Sequence, residues 1–281
     1  MWAAGWQSVV KERSTPITTK YGKHAMIRSR SLLAASMLLL LALGGCASNT
    51  NTEKIKPQDR GKVADLNTKI AIAYIRDGDF EPALEKLEKA ISADPNHAPA
   101  YSTLGLLYNR VGEFDEAEKN FEKAVRLDPK SSAILNNYGQ VLCQHEQYEK
   151  GQKMFLRANE NSLYRTPEIA LSNAGTCAMA AGDLGAAETH FRDALKINPR
   201  VPPPLLQMAV VSYSLERYLP ARGYLQRYLE VANHGPESLW TGIQIERELG
   251  DKDAVSSYSL LLQKEYPDSK QTQLFLESEA R

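Results

Sequence analysis

Two stretches, "AYIRDGDFEPALEKLEKAISADPN" (Ala73–Asn96) and "LYNRVGEFDEAEKNFEKAVRLDPK" (Leu107–Lys130), echo each other at a spacing of 34 residues. Tyr74 pairs with Tyr108, Gly78 with Gly112, Phe80 with Phe114, Ala83 with Ala117, Ala90 with Ala124 and Pro95 with Pro129. Each kept residue has a physical reason. Gly78 and Gly112 end a first helix in a tight turn, where a left-handed backbone costs glycine least. Ala83 and Ala117 fall where two helices approach too closely for a larger side chain. Pro95 and Pro129 stop the second helix and open the next unit.

A period of 34 is that of the tetratricopeptide repeat (TPR), two antiparallel helices per unit. The pattern continues with wear, giving units of about 64–97, 98–131, 132–165, 168–201, 202–235 and 236–269. In the third unit Gly151 stands where alanine is usual, and in the fifth Tyr228 does. The stretch 270–281 is short and amphipathic, as a capping helix is. One such unit cannot bury its own apolar face, so the units must stack. The expectation is an all-α, right-handed TPR solenoid of six helix-turn-helix repeats plus a C-terminal capping helix.

The N-terminal region reads differently. Arg28 and Arg30 precede an uncharged run, Ser31–Gly45, whose greasiest part is Leu32–Leu43. That run is short of the ~20 apolar residues a spanning helix needs. It matches the apolar core of a secretory signal peptide. Leu43-Gly44-Gly45-Cys46 resembles the bacterial lipobox, where a peptidase cuts before a cysteine that carries diacylglycerol. Small residues let the backbone into the protease, and the thiol takes the lipid. The expected organisation is a signal peptide over 26–45, a linker over 46–63 lipidated at Cys46, and a TPR domain over 64–281. Residues 1–25 then form an over-called extension, with Met26 as initiator. No aspartate follows Cys46, which favours the outer over the inner membrane.

Removing Met1–Gly45 takes away six basic side chains and one acidic one, which leaves a net charge of −5. Such a surface offers no electrostatic footprint for nucleic acid. Catalytic signatures are missing: there is no phosphate loop, nucleophile elbow or paired-histidine metal helix. His97, His145, His190 and His234 fall in different phases of the repeat, and Cys143 and His145 alone do not make a metal site. No enzyme, cofactor, metal or small-molecule substrate is expected. Cys143 and Cys177 lie near one level on the first helices of units three and four, so a disulfide is expected between them. Two buried thiols are the alternative.

TPR solenoids present a groove lined by the first helices of successive units. Counting from Ala64 and Ala98, the groove positions hold Asp65, Thr68, Ile72, Ile75 and Arg76, then Pro99, Ser102, Leu106, Asn109 and Arg110. Ile72, Ile75 and Leu106 are apolar where the groove should be, and are read as a slot for a partner helix or strand, with Arg76 and Arg110 as its rim. Contact with the N-terminal linker or a neighbouring helix is the alternative. The groove lacks the Lys/Asn/Arg set that clamps a C-terminal carboxylate.

Later segments carry a more specific likeness. "NNYGQVLC" (Asn136–Cys143), "LYRTPEIALSNAGTCAMAAGD" (Leu163–Asp183), "YLQRYLE" (Tyr224–Glu230) and "SLWTGIQIERELGD" (Ser238–Asp251) resemble the type IV pilus biogenesis/stability lipoproteins, the pilotins of the pilus secretin. The resemblance runs from Met26 to the C-terminus. It implies an outer-membrane lipoprotein on the periplasmic face, with secretin subunits as partners. Such a protein promotes secretin localisation and multimerisation, and hence pilus assembly and twitching motility. The rival expectation is a different periplasmic TPR scaffold, one that recruits a protease or an outer-membrane assembly factor.

Overall fold

The computed structural model describes residues 56–280. Among them are thirteen α-helices, preceded by a short 3-10 turn, and no strand. The helices are α1 (Arg60–Asp77), α2 (Phe80–Ala93), α3 (Ala98–Arg110), α4 (Phe114–Leu127), α5 (Ser132–Gln144), α6 (Tyr148–Asn159) and α7 (Pro167–Ala180). They continue as α8 (Leu184–Ile197), α9 (Pro202–Ser214), α10 (Tyr218–Leu229), α11 (Pro236–Leu249), α12 (Lys252–Glu265) and α13 (Lys270–Glu279). The odd helices α1 to α11 each pack on the even helix that follows, which makes six pairs, and α13 closes on α11 and α12. Each odd helix also packs on the next odd helix, whereas even helices stand further apart and meet through side chains, as Lys150 of α6 does with Glu118 of α4 at 3.5 Å. The described residues therefore form an all-α stack of TPR helix pairs.

A narrow turn joins the helices of every pair. The same backbone bond closes all six: Asp79 N–H to Tyr74, Glu113 to Tyr108, Gln147 to Leu142, Asp183 to Ala178, Arg217 to Ser212 and Asp251 to Glu246. This 6→1 bond needs a left-handed residue just before its donor. Gly78, Gly112, Gly182 and Gly250 supply it, with φ between 75° and 87°. In the third and fifth pairs a glutamate holds the same conformation, Glu146 at φ 61° and Glu216 at φ 58°. A side chain at positive φ is strained, so the stack imposes these two turns on residues that do not favour them.

Packing inside each pair follows a second rule. Where the first helix carries glycine, a ring packs directly against it: Phe121 on Gly105, Phe155 on Gly139, Phe191 on Gly175 and Tyr258 on Gly242. In the first and fifth pairs the glycine is replaced by a methyl group, and the ring shrinks to leucine. Ala71 and Leu87 share one buried cluster, and Ala209 and Leu225 another. Total volume at the crossing is thus roughly kept, as close-packed interiors require.

Candidate partner-binding groove

The apolar slot read from the sequence is only partly assembled. Ile72 is exposed on α1, with 51% of its surface open. Ile75 is half-buried and packs against the cluster of Ala71, Leu87, Leu104 and Leu107. Leu106 is half-buried too, against Phe121, Tyr138, Val141 and Leu142. Ile72 therefore presents an open apolar side chain, whereas Ile75 and Leu106 are partly covered by their neighbours in the stack. Odd helices lie side by side, so an apolar residue on the flank of one is covered by the next. Arg76 and Arg110 are exposed, and Arg76 Nε lies 3.3 Å from Asp77 Oδ1. Thr68 and Ser102, at groove positions by count, are buried, and Thr68 Oγ1 donates to Ala64 O at 2.8 Å.

Sequence reasoning passed over Leu66. It is 59% exposed on α1. As an apolar residue outside the buried stripe of its helix, it was visible in the sequence. No odd helix precedes α1 among the described residues to cover it.

A polar network closes the far edge of the second and third pairs. Asn109 Nδ2 donates to Gln144 Oε1 at 3.0 Å, and His145 Nε2 lies 2.8 Å from Asn109 Oδ1. A carbonyl oxygen only accepts, so the imidazole carries its proton on Nε2. Its ring stacks on Phe114 with centroids 3.8 Å apart. Burial pushes the His145 pKa below the ordinary histidine value, which keeps the ring neutral at neutral pH.

The structure places Cys143 on α5 and Cys177 on α7 with their sulfurs bonded and their Cα atoms 5.7 Å apart. That separation suits an unstrained bridge. Gly151 on α6 explains itself here. Its α-carbon faces the Cys143 sulfur and Gly139 O, and a Cβ would be 3.0 Å from that oxygen. The sulfur thus occupies the volume that alanine fills at this place in the neighbouring pairs, Ala117 and Ala187.

Further along, Arg222 on α10 grips Glu246 on α11 with Nε 2.9 Å from Oε1 and a second contact from Nη2 to Oε2. Glu246 is 4% exposed, so a buried carboxylate of the sixth unit is held by a partly open guanidinium of the fifth, which also lies 3.5 Å from Asp251 Oδ2. Among the described residues no three His, Cys, Asp or Glu side chains gather as a metal site, and no helix is long and apolar enough to cross a membrane. Cys46, the proposed signal peptide and most of the linker lie outside the described residues.

Comparison with known proteins agrees with this architecture. Tetratricopeptide repeat models match residues 62–130 and 120–153. The type IV pilus assembly protein PilF of Pseudomonas aeruginosa is 29% identical over 244 residues, which is 86% of this chain and 97% of PilF. The solved structure of Pseudomonas aeruginosa PilF superposes with a TM-score of 0.69 at 28% identity, over 78% of this chain and 99% of that one. The crystal structure of PilW, described as a widely conserved type IV pilus biogenesis factor, gives 0.69 at 29% identity, over 76% and 98%. The chain has an all-α TPR fold and is similar in sequence and structure to the type IV pilus assembly proteins PilF and PilW.

Proposed function

We propose that this protein acts in type IV pilus biogenesis as an outer-membrane lipoprotein that binds secretin subunits and promotes their localisation and multimerisation. The observation that carries the reading is the homology with PilF along nearly the whole of that protein. Repeat proteins of this kind work by holding other proteins. The lipobox at Leu43–Cys46 supports an anchor, since nothing else in the sequence is apolar enough to provide one. The protein is a scaffold and not an enzyme. Ile72 is the open part of the proposed secretin slot, Ile75 and Leu106 its half-buried part, and the exposed Arg76 and Arg110 its rim. A protein that stages secretin assembly belongs at the membrane the secretin enters, and the first repeats lie nearest the lipid in sequence.

Deletion of the gene tests this. Pili and secretin multimers should fall together while secretin monomer persists, and wild-type protein should restore both. Normal multimers in the deletion strain would refute the role.

A further inference from the structure

The odd helices α3, α5 and α7 each pack on the unit before them through the same three places. The first holds Ala100, Ile134 and Ala170, the second Leu104, Tyr138 and Ala174, and the third Leu107, Val141 and Cys177, all of them buried. The equivalent residues of α1 are Leu66, Ile70 and Ala73. They recur at helical spacing along one flank. Ala64, Thr68 and Ala71 are buried on the opposite side, where α1 meets α2 and α3. Leu66 is 59% exposed, and Ile70 and Ala73 are half-buried. The end of a repeat stack ordinarily carries a polar outer face, because no further unit covers it. α1 keeps the apolar residue types of an interior helix instead.

The linker of the chain itself cannot cover this flank. In "CASNTNTEKIK" (Cys46–Lys56) the one large apolar residue is Ile55. A second copy of α1 can. Set antiparallel, with Leu66 of each copy opposite Ile70 of the other, the two flanks bury leucine, isoleucine and alanine against one another. Lys69 then falls about 3 Å along the axis from Asp65 of the other copy. Within its own chain Asp65 lies 3.4 Å from His97 Nε2, and its side chain stays 60% exposed. Asp59 and Asp77, which meet at the two ends, are already paired with Lys62 at 3.5 Å and Arg76 at 3.3 Å. A parallel pair would bring the Lys69 edge to Asn67 and Tyr74, which carry no charge.

We propose that the outer flank of α1 packs on the same flank of a second copy, so that this protein forms a two-fold dimer through its first helices. The contact is isologous and closes on itself. An 18-residue helix is about 27 Å long. Two such helices bury less than the roughly 1,200 Å² at which stable interfaces begin, so the dimer forms in the micromolar range. The flank is the one that stacks units elsewhere in the chain and is distinct from the slot at Ile72. The inference rests neither on the pilus partner nor on the lipid anchor.

Sedimentation equilibrium of the purified protein, solubilised in a density-matched detergent, is the test. The mass should rise from monomer to dimer over about 1–100 µM. Leu66→Glu should weaken the dimer about tenfold or more, with helical circular dichroism unchanged. Leu260→Glu, at an equally open leucine on α12 (69% exposed), should leave it within about twofold, as a surface change remote from an interface does. Lys69→Asp and Asp65→Lys should each weaken the dimer when alone and recover it when mixed, because the charges then oppose across the two copies. A monomer at every concentration, a dimer untouched by Leu66→Glu or lost in Leu260→Glu, or charge variants that stay apart on mixing would each overturn the proposal.

Discussion

Gly175 and Phe191 touch so closely that a Cβ on the glycine would come within 2.6 Å of the ring. Helix propensity alone would favour alanine there by about 1 kcal/mol. Overpacking a well-filled core costs more, about 1–3 kcal/mol. Gly175→Ala should therefore destabilise the protein. Ala71 with Leu87 and Ala209 with Leu225 show the compatible pairing, so adding Phe191→Leu should recover part of the loss. A double-mutant cycle in urea gives the coupling, expected to be about 1 kcal/mol or more. Simple additivity of the two changes would show that ring and glycine are not matched.

Glu216 sits at φ 58° in a turn that four other pairs build with glycine. Relieving that strain outweighs the extra entropy glycine brings to the unfolded chain. Glu216→Gly should stabilise by up to about 1 kcal/mol, a rise in Tm of about 2–4 °C for a domain this size. A lower Tm would mean that the glutamate earns its place through contacts of its own.

The Cys143–Cys177 bridge closes a loop of 34 residues between units three and four. In the entropic model such a bridge contributes about 2–4 kcal/mol. Alkylation of denatured, unreduced protein isolated from cells should find no free thiol at either position. Reduction should lower the denaturation midpoint. Two alkylated cysteines in the untreated sample would contradict the bridge.

Three histidines have their pKa lowered by burial: His145, His190 and His234. A base whose folded pKa lies below its unfolded value binds fewer protons when folded. Stability then rises with pH through that window. The penalty is absent above about pH 6.5, the ordinary histidine value, and grows as the pH falls below it. Stability should decrease from pH 7 to pH 5, and His234→Gln should flatten part of that slope. An unchanged slope would show that other groups cause the decrease.

Arg222→Ala should be among the more damaging single changes, at about 1–3 kcal/mol, because it leaves the Glu246 carboxylate without its partner. Replacing both by apolar residues of similar size should cost much less. Chemical denaturation of the two variants gives the comparison, and equal losses would mean that the clasp acts through packing alone.

The helix pairs were legible because the stack reuses the same few contacts every 34 residues. Gly78 and Gly112 announce the left-handed turn, and Ala83 and Ala117 the close approach. Glu146 and Glu216 hid that same turn, since neighbouring helices force the conformation and local preference does not show it. Groove positions were harder to read. Ile75 and Leu106 look like Ile72 in a single helix, and their burial depends on how the next odd helix leans. Arg222 and Glu246 lie 24 residues apart in different units, so no period within one helix could pair them.

The central claim is that this protein binds secretin subunits at the outer membrane. Affinity purification of the tagged wild-type chain from detergent-solubilised outer membranes tests it most directly, with Cys46→Ala and Ile72→Ser purified in parallel. Wild-type protein should bring down secretin as its main companion, Cys46→Ala should be missing from the membrane fraction, and Ile72→Ser should reach the membrane but recover several-fold less secretin, as loss of an interface anchor implies. Wild-type protein in the outer membrane that brings down other proteins and no secretin would contradict the account.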